Sequence, residues 1–223
     1  MTFPITDVTI LEDADDARIA DWLEQRLARA LNHTDGPIAI ALPGGSTPFP
    51  ILERLVQRDL DWSRVMAYPT DDRIVPEDHP ASNTGKLRAL LEPVGVAVTA
   101  LPVPGGETMS FESARIPDFR LVWLGMGADG HIASLFPNTN PQIEDGIALR
   151  RLTPDPLPPE APFDRVTLTL RALLQSDEFL FVARGDDKRA VLDGALKGEH
   201  DLPITRLLAA RNRDHLRPVT FFV

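Results

Sequence analysis

The stretch "PIAIALPGGSTPFPILERL" (residues 37–55) decides the fold. Its first half is a short, nearly all-apolar run between two prolines. That pattern suits a strand covered on both faces rather than one with a wet side. The run then breaks at Gly44 and Gly45, Ser46 and Thr47 follow, and Pro48 opens a stretch with helical apolar spacing over residues 49–60. Proline fits the first helical turn, where an amide hydrogen has no partner inside the helix. A buried strand passing through a glycine turn into a helix is half of a βαβ unit, and such units build parallel sheets.

The alternation continues outward. Strand-like runs occupy residues 8–11, 64–70, 120–126, 166–170 and 178–183, and "VTFFV" closes the chain. Helical runs occupy residues 13–31 and 186–197, and Ser82 caps another running to about Leu91. In the first, Ile19, Leu23, Leu27 and Leu31 fall four apart on one stripe. The expected fold is α/β: a doubly wound, mostly parallel sheet flanked by helices on both faces (Rossmann-like), in a single domain over residues 1–223. Residues 138–162 hold six prolines and read as a long surface excursion, because strand-like sequence resumes after them. "PVPGGETM" (residues 102–109) reads the same way.

Composition narrows the function. The chain of 223 residues has no cysteine, which removes disulfides, thiolate zinc sites and cysteine nucleophiles. That fits a cytoplasmic protein. A net charge of −10 argues against a nucleic-acid partner, which calls for a basic footprint. It also means that an anionic ligand needs a local positive site built against the overall field. No apolar run reaches the length of a membrane span. The first residues lack the basic and apolar regions of a signal peptide.

Four places carry chemistry. Gly44 and Gly45 let the backbone turn tightly before a helix start, where free amides and a partial positive charge meet the hydroxyls of Ser46 and Thr47. That combination suits a phosphate group, though a plain glycine turn with a Ser/Thr cap has the same residues. It is not a Walker A loop, since the lysine is missing. "PTDDRIVP" (residues 69–76) places Asp71, Asp72 and Arg73 at a strand end, where doubly wound sheets bind ligands. Arg73 offers a fork for phosphate or carboxylate, or a local ion pair on a surface loop.

"LGMGADGHIASLFP" (residues 124–137) puts Asp129 two residues before His131 in a glycine-rich turn, with a short helix expected after it. The pair suits a general base and the carboxylate that fixes its ring; the plainer use of Asp129 is a helix cap. His33, His79, His200 and His215 read as surface. In "ARGDDKRAVL" (residues 183–192), Lys188 falls in a first helical turn. A cation is unfavourable there unless an anion is shared, although Asp186 and Asp187 would offset it.

In this order, "LPGGSTP", "DDRIVPEDHPASN", "LGMGADGHIASLFP", "RVTLTLRALL" and "FVARGDDKRAVL" resemble the 6-phosphogluconolactonases, relatives of the glucosamine-6-phosphate isomerases. The resemblance covers residues 37–207. It implies hydrolysis of 6-phosphoglucono-1,5-lactone, a phosphorylated sugar lactone, to 6-phosphogluconate, the second step of the oxidative pentose phosphate pathway, with no cofactor and no metal. It further implies that the glycine–serine–threonine turn, Arg73 and Lys188 hold the phosphate and that His131 activates water. Arg165 either approaches the phosphate or pairs with the acidic loop.

Two positions depart from the family pattern. Asp72 stands where the family usually has glutamate, which weakens any direct role with substrate. Ile132 stands where it often has threonine, which removes a hydroxyl beside the base. A glucosamine-6-phosphate isomerase/deaminase would need a further acid after the Asp-Gly-His turn, and none follows until Glu144. A phosphosugar-binding sensor without turnover would keep the glycine turn, Arg73 and Lys188 but would not need His131.

Overall fold

The computed structural model describes residues 5, 7–103, 115–139, 145–159, 161–211 and 217–223. In chain order the elements are β1 (Val8–Leu11), α1 (Asp16–Asn32), β2 (Ile38–Leu42), α2 (Pro48–Leu55), β3 (Val65–Pro69), β4 (Asp71–Arg73), α3 (Asn83–Leu91) and β5 (Ala97–Val98). There follow β6 (Leu121–Leu124), β7 (Leu149–Leu152), β8 (Arg165–Leu168), α4 (Leu170–Leu173), β9 (Phe179–Val182), α5 (Asp186–Lys197), α6 (Pro203–Ala210) and β10 (Val219–Phe222).

Seven strands form one parallel sheet in the order β1-β10-β9-β6-β2-β3-β5. Every residue of β2, β6, β9 and β10 is buried, as a sheet covered on both faces requires. Side chains alternate across it. Ile38, Ile40 and Leu42 pack with Ile19, Leu23 and Leu27 of α1 and with α2 and α3 on one face. Ala39 and Ala41 face the other side, where Phe179, Phe181 and Phe221 pack with Leu192 of α5 and Leu207 of α6. The fold is thus α/β with a parallel sheet between two helical layers, as expected.

Several boundaries differ, each for a local reason. Helix α1 starts at Asp16, not residue 13, because the Asp15 side chain accepts the Arg18 amide at 2.8 Å and caps it. Helix α2 ends at Leu55, beyond which the amides of Gln57 and Arg58 tighten onto carbonyls three residues back. Leu170 belongs to α4, because Thr169 caps that helix. The proline-rich excursion is not structureless: it contains β7, which pairs antiparallel with β8. Leu149 and Leu152 are buried and Arg150 and Arg151 exposed, so β7 lacks the period-two alternation that marks a strand. Residues 140–144 and 160 of that excursion, and 104–109 of the second loop, lie outside the described residues.

A three-stranded antiparallel sheet, β4-β8-β7, was also not expected from the sequence, and neither was α6. This small sheet sets β4 and β8 beside the end of β3. In the large sheet, β2 lies between β3 on one side and β6 on the other, so the strand order reverses there. Chains leaving β2 and β6 diverge and open a crevice at the carboxyl ends.

Candidate active site

That crevice is a cavity of about 470 Å³, lined from the ends of β2, β3, β6 and β9 and from the small sheet. Its walls include Gly44, Gly45, Ser46, Thr47, Asp71, Arg73, His131, Arg165 and Lys188. Residues far apart in the chain therefore meet in one place.

The glycine turn forms one wall. Gly45 has φ +89, a left-handed conformation that favours glycine. Thr47 is the N-cap residue of α2, yet no side chain caps the helix. Among the described residues, the amides of Gly45 and Ser46 find no acceptor within the chain. The plain Ser/Thr cap is therefore not what this turn makes.

The antiparallel register of β4 and β8 builds the cationic wall. Asp71 stands opposite Thr167 and Arg73 opposite Arg165, so these four side chains share one face. Asp72, one residue off, points the other way. Arg73 Nη1 donates to Asn83 Oδ1. Arg165 is only 4% exposed and donates from Nη2 to the Ala161 carbonyl at 2.8 Å. Arg73 Nε and Arg165 Nε and Nη1 are buried without a partner among the described residues. Burial, and next the Arg73 charge, push Arg165 below the ordinary guanidinium value, while Asp71 and Asp72 oppose the shift. Among the described residues neither arginine, nor Lys188 in the first turn of α5, forms an ion pair. Buried donors without acceptors cost about 1–3 kcal/mol each. Arg165 lines the cavity rather than pairing with the acidic loop.

The third wall follows β6. Gly127 donates its amide to the His131 carbonyl at 2.9 Å and closes the turn. Asp129 Oδ1 lies 2.6 Å from His131 Nδ1 and also accepts the His131 amide at 3.2 Å. The hydrogen bond from His131 is the main reason the Asp129 carboxyl sits below its ordinary value; burial opposes it. A carboxylate only accepts, so Nδ1 carries the proton and the neutral ring keeps its lone pair on Nε2. Asp129 stands outside the cavity that holds the glycine turn and the cationic wall. It lines an adjoining one of about 630 Å³, which shares His131, Phe136 and Pro158 with the first. The Phe136 ring lies 4.8 Å from the imidazole, centroid to centroid.

The chain after His131 is not the short helix expected. Ala133 has φ +49, and Leu135 donates back to Ile132 at 2.8 Å, making a tight turn. Ile132 is fully buried in the apolar layer and does not line the cavity, so the residue at that position takes no part in it. Of the histidines read as surface, His33 is exposed, His79 and His200 are half-buried, and His215 lies outside the described residues. His79 packs edge-on against Phe163 at 5.2 Å.

Asn83, Thr70 and Ser134 also line the cavity and were not singled out in the sequence. Ser134 donates to Asp71 Oδ2 at 2.5 Å and Thr70 to Asp71 Oδ1 at 3.3 Å, so both orient that carboxylate. Their roles depend on strand register, which no local motif encodes. Asp72 accepts from the amides of Arg73, Asn83 and Thr84 and from the hydroxyls of Ser82 and Thr84. It is a buried clamp on the start of α3, away from the cavity. Among the described residues no group of three or more His, Asp or Glu is placed to hold a metal ion, and no helix is long and apolar enough to cross a membrane.

The family model described as glucosamine-6-phosphate isomerases/6-phosphogluconolactonase matches residues 12–216. A 6-phosphogluconolactonase of Neisseria meningitidis is 35% identical over 209 residues, covering 85% of this chain and 87% of that protein. One of Pseudomonas putida is 36% identical, covering 86% and 84%. The crystal structure of a 6-phosphogluconolactonase from Thermotoga maritima superposes with a TM-score of 0.75 at 26% identity, over 96% of this chain and 99% of that one. One from Shewanella baltica superposes with a TM-score of 0.78 at 24% identity, over 99% and 100%. The chain belongs to the glucosamine-6-phosphate isomerase/6-phosphogluconolactonase family.

Proposed function

We propose that this protein hydrolyses 6-phospho-D-glucono-1,5-lactone to 6-phospho-D-gluconate, the second step of the oxidative pentose phosphate pathway, in the cytoplasm. The names of the Neisseria and Pseudomonas relatives support the substrate. The observation that carries the reading is one cavity with cations that form no ion pair among the described residues on one wall and a carboxylate-backed imidazole on another. A substrate with phosphate at one end and an electrophilic carbonyl at the other matches both. A cysteine-free chain suits a reducing compartment.

In this mechanism Arg73, Arg165, Lys188 and the glycine-turn amides hold the phosphate. Binding energy at that remote group orients the lactone carbonyl toward His131. His131 Nε2 takes a proton from water as its oxygen attacks C1. The carbonyl carbon becomes tetrahedral and its oxygen an oxyanion. As it collapses, the bond from C1 to the ring oxygen breaks, and His131 returns the proton to that oxygen. Asp129 fixes the ring and stabilises the transient imidazolium.

The test is acid release from freshly generated lactone, measured above the spontaneous rate, with glucosamine 6-phosphate in parallel. The expected result is acceleration with the lactone and no isomerised product from the amino sugar. Turnover of the amino sugar alone would assign the isomerase reaction. Binding of both without turnover would assign a sensor.

A further inference from the structure

Asn83 is 1% exposed and makes three hydrogen bonds. Its amide donates to Asp72 Oδ1 at 2.6 Å, its Nδ2 donates to the Asp71 carbonyl at 2.8 Å, and its Oδ1 accepts from Arg73 Nη1. The orientation of the carboxamide follows from the partners: a guanidinium only donates and a carbonyl only accepts. A fourth constraint comes from the glycine turn. A Cβ on Gly44 would lie 2.0 Å from Asn83 Oδ1, so the turn passes directly against this side chain.

We propose that Asn83 is a positioning residue for the phosphate end of the site, holding the Arg73 guanidinium and the Gly44 turn in one fixed relation. The inference rests on the phosphate-binding part of the function proposed above. Arg73 and Arg165 stand opposite each other with like charges, and repulsion would swing Arg73 toward solvent. A restraint is needed, but a carboxylate there would pair with the guanidinium and consume the charge meant for the ligand. A neutral amide oxygen restrains Arg73 and leaves its charge available. The Asp71 carbonyl accepts from Nδ2 and the Asp72 carboxylate accepts from the Asn83 backbone amide, which fixes the residue in turn, so it links β4, the start of α3 and the turn after β2.

The experiment compares wild type, Asn83→Ala, Arg73→Ala and the double variant, with thermal midpoints to confirm folding. Binding of 6-phosphogluconate is read by calorimetry, and KM and kcat are read on the lactone. Asn83→Ala should weaken phosphoester binding and raise KM about tenfold or more, with a smaller change in kcat. In the Arg73→Ala background the same change should add less than about threefold, because its effect runs through Arg73. Additive losses, or a fall in kcat with binding unchanged, would overturn the proposal. Should Asn83→Ala fail to fold, Asn83→Asp keeps the shape and pairs with Arg73. It too should weaken binding about tenfold, and unaltered binding would again overturn the proposal. A wild type that binds 6-phosphogluconate without accelerating lactone hydrolysis would sink the hydrolase reading and leave the role of Asn83 to be decided by the same binding series. A wild type that binds no phosphoester would sink both.

Discussion

Arg73 and Arg165 face each other across the antiparallel pair β4–β8, on the same side of the small sheet, with buried nitrogens that no acceptor among the described residues reaches. Like charges set opposite one another destabilise a sheet when nothing lies between them. In the function proposed above, the substrate phosphate lies against this pair.

Arg165→Ala should therefore weaken 6-phosphogluconate binding by about tenfold to a hundredfold, the range for losing a hydrogen bond to a charged group. The folded state should lose little, because one buried repulsive charge goes with the side chain. Calorimetric titration with parallel melting curves checks this. A large drop in melting midpoint with unaltered affinity would mean that Arg165 is structural.

Gly127 cannot carry a side chain without disturbing the base. A Cβ there would lie 2.2 Å from His131 Nδ1 and 2.5 Å from Asp129 Oδ1. Gly127→Ala should lower kcat by about a hundredfold while leaving product affinity within about threefold, since the displaced groups lie away from the cationic wall. Steady-state kinetics and calorimetry give both values, and a variant with wild-type kcat would contradict the assigned geometry.

Asp129 titrates below its ordinary value because His131 donates to it. Its native pKa is thus lower than its unfolded one. The stabilisation is complete above the unfolded value and fades as pH falls through the native one. The gap in melting midpoint between wild type and Asp129→Asn should therefore be widest near neutrality and shrink below about pH 4. A gap that does not vary with pH would show that the carboxylate charge contributes nothing.

Asp72 collects five hydrogen bonds on a carboxylate that is 6% exposed. Asp72→Ala would leave several buried donors unsatisfied and should cost roughly 3 kcal/mol in urea unfolding. A loss below about 1 kcal/mol would mean that solvent replaces those bonds.

These residues also show what the sequence makes legible. The strand–glycine–helix grammar around Gly44 and the stripe from Ile19 to Leu31 rest on local spacing, and both stand in the structure. So does the closeness of Asp129 and His131, only two residues apart. The pairing of Arg73 with Arg165 spans most of a hundred positions and depends on the register of two short strands, one rich in charge. Strand β7 hides among prolines because its pattern is buried–exposed–exposed–buried. The turn after His131 reads as helical by composition, yet Ala133 adopts a left-handed conformation in a tight turn where Ile132 pairs with Met126 and Leu135. Asn83 looks like the first residue of a capped helix. Its importance lies in Gly44, Asp71 and Arg73, which the fold brings to it.

In the proposed mechanism His131 is the base for lactone hydrolysis. The most direct measurement is the hydrolysis rate of freshly generated 6-phosphogluconolactone above the spontaneous rate, for wild type and His131→Ala, with 6-phosphogluconate affinity measured for both. The expected result is a clear acceleration by wild type, a loss of about a hundredfold or more in the variant, and affinity nearly retained. A variant as fast as wild type, or one whose lost rate is matched by lost affinity, would contradict it.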